Sequence, residues 1–450
     1  MPQSFDLIAI GTGTAASTVT SACRSEGWKV AIVDSRPFGG TCALRGCDAK
    51  KVLVGAAEAI DWNQRLKSKD VLQGNVEIDW PTLMRFKRTF TDPVPESREK
   101  GFAKSGIKTF HGRARFTGPG TIQIGNDTLE ARYVLIAAGA KPRTLGIHGE
   151  EYLTTSDQFL DLDKVPQRLV FIGGGYISME FAHVAARAEA KITVLQMDEQ
   201  ILPGFDPDLT AQLAEKTREL GVNLHLQTAV EAVEKAGDQF KVLATRNGER
   251  QIFEAESVVH GAGRVPDIQD MDLQAGGIEA EAKGVAVNEY LQSVSNPNVY
   301  SAGDAAASGG LPLTPVAGLE GKVVAANLLK GNHMKPDYRG IPTVAFTTPP
   351  VASVGLSEKA ARAEGLEFKV NHSETSGWYS SRRINETCSG FKVLIEQPTG
   401  RVLGAHLLGH HAEELINLFA LAIKTGINAR DLKQTLFAYP TRASDIQYML

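Results

Sequence analysis

Short, mostly apolar runs that stop abruptly on glycine give this chain its texture. Phe5 to Ile10 (FDLIAI) has the near-continuous apolar character of a strand buried in a parallel sheet, and it ends on Gly11-Thr12-Gly13-Thr14-Ala15-Ala16. The pattern then predicts a helix to about Glu26 and a second strand from Trp28 to Val33, closed by Asp34. The same order returns at Arg168 to Leu195: the run RLVFIG, then Gly173-Gly174-Gly175-Tyr176-Ile177-Ser178, a helix, and KITVL. A strand, a tight turn and a helix in register form the unit that holds a dinucleotide pyrophosphate on the helix N-terminus. Repeated in one chain, it predicts two dinucleotide sites.

The remaining pattern fills in around these units. Leu83 to Ser105 is helical but interrupted by Pro93 and Pro95, which predicts a kinked or split pair of helices. Tyr133 to Arg143 (YVLIAAGAKPR) and Ser295 to Ala307 (SNPNVYSAGDAAA) read as strands running into glycine turns, and a helix is expected after LTPVAGLEGK. From about Gly340 the texture changes to α+β. Strands are expected near Thr343 to Phe346, Phe391 to Glu396 and Val402 to Leu408, with a helix from Glu413 to Thr425 and no nucleotide turn.

A chain of 450 residues can form two to four domains, and 48 basic against 52 acidic residues leave no charge excess that would draw it to nucleic acid or an anionic membrane. The start MPQSFDLIAI has no basic run or cleavage site, so no signal peptide is expected, and no apolar stretch nears the ~18 residues of a membrane span. Four cysteines are too few for a secreted disulfide framework. The expectation is a cytoplasmic enzyme with one working cysteine pair, Cys23 and Cys388 being structural.

That pair is Cys42 and Cys47, in FGGTCALRGCDAKK. On a regular helix residues five apart are separated by about 7.5 Å along the axis and face different ways, too far for a relaxed disulfide. The backbone is therefore expected to break, and Gly46 is where it can. A helix running through Lys50 to Arg65 would place the thiols at its positive end, which lowers thiol pKa values. Dithiols next to a bound nucleotide read as a redox centre. Asp48, beside Cys47, is expected to raise that thiol's pKa if it points inward.

Further candidates follow from the turns. Asp34 stands where a carboxylate accepts hydrogen bonds from a ribose, and Asp304 could do the same for a ribitol hydroxyl. At the end of the second unit's second strand the acid is replaced by Gln196. No Arg or Lys lies in Gln196 to Gln200, so a clamp for a 2′-phosphate is missing and the reading leans toward NADH over NADPH. His410 and His411 invite a metal reading, but adjacent histidines on a loop read more simply as solvated.

Taken in order, GTGTAA, GGTCALRGC, AAGAKP, GGGYISME, GAGRVPD, SAGD, LTPVA and PTVAFTTPPVASVGLSE resemble the class I pyridine nucleotide-disulfide oxidoreductases, the family of glutathione reductase, dihydrolipoamide dehydrogenase and mercuric reductase. The resemblance spans nearly the whole chain. It implies an α/β fold with two Rossmann-like dinucleotide-binding domains and a C-terminal α+β dimerisation domain. FAD would lie in residues 1–147 and 266–338, NAD(P)H in 148–265, and the homodimer interface in 339–450. By the same resemblance Cys47 would face the isoalloxazine, Cys42 would be the outer interchange thiol, Lys50 would pair with Glu180, and Tyr176 would gate the nicotinamide. The residues then expected around the two cofactors are Gly11, Gly13, Ala16, Asp34, Gly40, Thr41, Lys51, Ala114, Ala138, Gly139, Asp304, Pro315 and Val316, together with Gly173, Gly175, Tyr176, Gln196, Gly263 and Arg264.

The chain also departs from the family. The tail reads AYPTRASDIQYML, so Tyr439 stands where a partner-subunit histidine is usual, Ser444 falls at the place of its glutamate, and Asp445 is one residue beyond. A tyrosine, with a pKa of about 10, is a poor base at neutral pH but can donate a hydrogen bond to a developing thiolate. The redox box carries Leu44, Asp48 and Ala49 at unusual places, and Val19 and Lys322 stand where glutathione reductases have arginines. The expected activity is NAD(P)H-driven, FAD-dependent reduction of a low-molecular-weight disulfide. The alternatives are electron transfer to a metal ion, a quinone or oxygen, as in mercuric reductase or a diaphorase, and a slow redox-sensing protein.

Overall fold

The computed structural model describes residues 2–450. Its chain divides into two compact units, one built from residues up to Lys50, Phe86–Arg143 and Arg264–Tyr338, the other from Lys51–Arg85, Thr144–Gly263 and Arg339–Leu450.

The first unit is organised by a seven-stranded sheet. Gln3–Ile10 lies between Val30–Asp34 and Asp127–Ile136, parallel to both, and Lys108–His111 extends the parallel edge. The far half of Asp127–Ile136 pairs in parallel with Val299–Ser301, and its near half turns antiparallel through Thr121–Ile124 to Ala114–Gly118. Apolar residues pack both faces. Leu7, Ala9, Val19 and Ile32 join the Thr14–Ser25 and Thr314–Lys330 helices on one side, and Ile8, Ile10, Val33 and Val134 join Phe116 and Ile122 on the other. This double burial is why the strand sequence shows no alternation. Helices Trp80–Thr91 and Val94–Lys104 confirm the split at Pro93.

The second unit contains three sheets. Four parallel strands, in the order Asn223–His225, Lys191–Leu195, Arg168–Ile172 and Ser257–His260, carry the second glycine turn. An antiparallel meander, Thr228–Ala236, Gln239–Arg246 and Glu249–Ala255, packs beside them; the sequence pattern did not reveal it. Five antiparallel strands form the C-terminal layer, where Val351–Gly355 and Phe368–Glu374 add to the three that were expected. The Ala412–Thr425 helix covers that sheet with Leu415, Ile416 and Phe419. Among the described residues no helix is long and apolar enough to cross a membrane.

Candidate active site: two glycine turns and a dithiol

The first turn leads into the Thr14–Ser25 helix, whose N-cap is Gly13. No side chain caps that helix, and its first turn holds no acidic residue, so its backbone N–H groups and positive end remain suited to an anion. Gly40 sits directly against the turn at φ +75°, and a Cβ there would lie 2.5 Å from the Gly13 Cα. Asp34 staples the turn: its Oδ2 accepts from the Thr12 N–H at 2.9 Å and from the Thr12 hydroxyl at 2.6 Å. Its Oδ1 takes the Arg36 N–H at 3.0 Å. Four lone pairs leave this carboxylate capacity for a ribose hydroxyl as well. Ala16 is fully buried at the third-glycine place.

The second turn repeats the arrangement. Gly175 is the N-cap of the Tyr176–Arg187 helix, again with no side-chain cap and no acid in the first turn. Gly173 stands where a Cβ would come within 2.8 Å of the Ala262 Cα. Gln196 is buried and holds this turn, its Oε1 accepting from the Gly174 N–H at 2.8 Å while its amide donates to Asp198 and to the Gln200 carbonyl. Both turns therefore have the pre-formed backbone and small-residue lining that a dinucleotide needs.

The cysteines occupy two helices, Gly40–Arg45 and Cys47–Lys67, broken at Gly46. A Cβ on Gly46 would lie 3.3 Å from the Cys42 Cα, so glycine is what lets the second helix start against the first. Both thiols are free, Cys42 half-buried and Cys47 exposed. They are hydrogen-bonded to each other, and the proton is unequally held. The hydrogen bond from Cys42, with the Thr314 hydroxyl 3.6 Å away and the Lys50 charge, outweighs burial and pulls Cys47 down to about 6. The same hydrogen bond, reinforced by burial, pushes Cys42 up. Asp48 does push Cys47 upward as expected, but it is the smallest influence on that thiol and the net shift is downward. Thr314 opens the Thr314–Lys330 helix, with Pro315 and the buried Val316 in its first turn. Its hydroxyl was not anticipated; its place at the head of LTPVA was the available signal.

The other expected residues fall as follows. Asp304 lies in a short 3₁₀ turn, where burial raises its carboxyl and Arg264 opposes the shift. Arg264 donates to the Ala140 carbonyl at 2.5 Å, and the Gly139 carbonyl accepts from the Asp267 N–H at 3.0 Å. Gly263 precedes Arg264 with φ +109°, Thr41 lies in the Gly40–Arg45 helix, Ala138 follows the Asp127–Ile136 strand, and Ala114 is buried at the start of its own. Lys51 is turned to Glu58 at 3.0 Å and lies over the Phe346 ring. Lys50 and Glu180 belong to different units; within its own, the buried Glu180 accepts the Phe346 N–H at 2.8 Å. Tyr176 reaches the Thr343 hydroxyl at 2.5 Å. Tyr439 is 81% exposed, whereas Asp445 is buried and engaged by Ser380 and Arg442. His410 corrects an expectation. It is packed on Trp62 and His411 rather than solvated, and burial brings its imidazole down to about 4. Among the described residues no cluster of three or more His, Cys, Asp or Glu could hold a metal ion.

The sequence pattern of the pyridine nucleotide-disulphide oxidoreductases matches residues 5–321, and that of their dimerisation domain matches residues 341–450. The chain belongs to this family. It is a flavoprotein oxidoreductase that uses FAD and NAD(P)H. It is 31% identical to a mercuric reductase of Bacillus cereus over 98% of its own length and 70% of that protein's. It is 30% identical to a glutathione reductase of Burkholderia cepacia over 98% and 97%. The solved Cu(II) complex of the HOCl-induced flavoprotein disulfide reductase RclA from Escherichia coli superposes with a TM-score of 0.88 at 25% identity, covering 100% of this chain and 99% of that one.

Proposed function

We propose that this flavoprotein reduces a low-molecular-weight disulfide through Cys42 and Cys47. The observation that carries the reading is the placement of the two free thiols: Cys42 and Cys47 meet across the break at Gly46, with the Thr314 hydroxyl 3.6 Å from the Cys47 sulfur and Lys50 in the same helix as Cys47. On this reading residues 1–147 and 266–338 hold FAD, 148–265 hold NAD(P)H, and 339–450 form the homodimer interface.

When bound, NAD(P)H and FAD would supply the two electrons that reduce the Cys42–Cys47 disulfide. The chain's own residues do the rest. Thr12 and Asp34 hold the first turn against the FAD pyrophosphate and ribose, and Gln196 holds the second. Lys50 places a cation beside the flavin-facing thiol, and Tyr176 closes over the nicotinamide site. Once the pair is reduced, transfer of the shared proton to Cys47 makes Cys42 the nucleophile. Cys42 attacks the substrate disulfide, forming a mixed disulfide and releasing one thiolate. That thiolate takes the proton from Cys47, and the Cys47 thiolate so formed attacks the Cys42 sulfur, restoring the enzyme disulfide and expelling the second thiolate, which is protonated from solvent. Tyr439 of the partner subunit's tail donates a hydrogen bond to the departing sulfur, the place usually filled by histidine. Lys322, where an arginine holds a glutathione carboxylate in its reductases, favours a different small disulfide; Val19, the other such place, is buried in the core.

Anaerobic titration with NADH, and separately NADPH, tests this. A long-wavelength absorption band at two electrons per FAD is expected, from the Cys47 thiolate against oxidised flavin. Bleaching without that band would take the cysteines out of the circuit and point to a quinone or metal-ion acceptor. Cys42→Ser should abolish disulfide turnover and keep FAD; unchanged turnover would overturn the reading.

A further inference from the structure

The Tyr176–Arg187 helix carries polar residues at 176, 180, 183 and 187, and each grips one strip of the C-terminal layer. Glu180 accepts the Phe346 N–H at 2.8 Å. His183 is buried and neutral. Its Nε2–H donates to Thr217, whose own hydroxyl is committed to the Leu213 carbonyl, so its Nδ1 accepts the Thr348 N–H at 3.1 Å. Arg187 binds the Thr348 carbonyl at 3.1 Å and the Asp61 carboxylate at 2.7 Å. Thr343, three residues before Phe346, is further fixed by its strand register against Ser353. The Thr343 hydroxyl is thus a pre-positioned anchor, and it is the partner of the Tyr176 hydroxyl at 2.5 Å. The Tyr176 ring, 38% exposed and backed by Phe205 at 5.3 Å between centroids, sits at the first position after the second glycine turn.

We propose that Thr343 is a latch that holds Tyr176 closed and thereby sets nicotinamide nucleotide affinity. The inference rests on Tyr176 being the nicotinamide gate. A nucleotide must displace the ring, and displacement breaks a hydrogen bond that the rigid strip cannot follow. A latched ground state reduces apparent affinity by the fraction of molecules that are unlatched. One neutral hydrogen bond of this kind corresponds to about a two- to tenfold effect.

The test is calorimetric binding of NAD⁺ and NADP⁺ to the FAD-loaded enzyme and its variants. Thr343→Val and Tyr176→Phe should each tighten binding of the better-bound nucleotide about two- to tenfold, and the double variant should gain no more than either alone. Thr343→Ser should match the parent. In rapid-mixing reduction by that nucleotide's reduced form, Thr343→Val should lower the half-saturating concentration and leave the limiting rate unchanged. Unchanged or weaker binding in Thr343→Val, or additive effects in the double variant, would overturn the latch. Tyr176→Ala separates the two readings. If it leaves affinity as in the parent, the gate itself fails; if it tightens binding while Thr343→Val does not, only the latch fails.

Discussion

The two glycine turns solve the same backbone problem with different charges. In each, the side chain at the end of the following strand accepts the N–H of the turn's second residue: Asp34 from Thr12 at 2.9 Å, Gln196 from Gly174 at 2.8 Å. The staple is therefore common to both sites, and the carboxylate is what the first has and the second lacks. Replacing an acid by an amide at this place keeps the hydrogen bond to the turn and removes a negative charge from beside it.

Asp34 variants should break the comparison most severely. Asp34→Ala removes both hydrogen bonds from Thr12 to the charged carboxylate, one of them from a backbone N–H. Hydrogen bonds to charged groups contribute about 1.5–3 kcal/mol each. A loss of FAD affinity of at least tenfold is expected, read as the FAD-to-protein ratio and the dissociation constant after removal and re-addition of flavin. Asp34→Asn keeps a staple like that of Gln196 and should lose less. Equal losses in the two variants would mean that charge, and not the staple, carries the effect.

Gln196 comes next in size. Gln196→Glu puts the first site's charge into the second without changing the side chain's reach. It should shift the NADH-to-NADPH preference toward NADH by about five- to tenfold, since a carboxylate near the ribose repels a 2′-phosphate. Gln196→Leu leaves the Gly174 N–H without its acceptor, at a cost of about 1–3 kcal/mol, and should weaken both nucleotides alike. The check is kcat/KM for each nucleotide in both variants; a Gln196→Glu enzyme with unchanged preference would show that the ribose lies beyond this residue's reach.

How much of this was legible from the chain follows the range of the interactions. Local rules held where one short segment carries the whole constraint: the glycine turns after buried strands, the helix split at Pro93, the backbone break at Gly46. The Thr228–Ala255 meander escaped because apolar residues stand on both of its faces: Val233, Val242, Ala244 and Ala255 are buried, but Leu243 is only half-buried and Ile252 is exposed, so no clean alternation marks it. Thr314 and Thr343 escaped for a different reason. Each is an ordinary threonine whose importance depends on a residue far away in sequence, 267 positions for Cys47 and 167 for Tyr176. The direction of the Asp48 influence was readable, but its outcome was not, because it depends on the Cys42 hydrogen bond, Thr314 and Lys50 acting together.

Those two threonines extend the parallel between the halves, for each turn is followed by one working side chain held by a hydroxyl from another element. Thr314 therefore gives the smallest but sharpest test. With Cys47 pulled down to about 6, the reduced enzyme should react with iodoacetamide at a rate that is flat above neutrality and falls as pH drops through 6. Thr314→Val removes a secondary contribution and leaves the larger one from Cys42, so the midpoint should rise by less than about one pH unit, or 1.4 kcal/mol. Cys42→Ala removes the largest contribution and should move the midpoint further upward. If Thr314→Val moved it as far as Cys42→Ala, the thiolate at Cys47 would be held by the helix that Thr314 opens, and the dithiol hydrogen bond would be secondary.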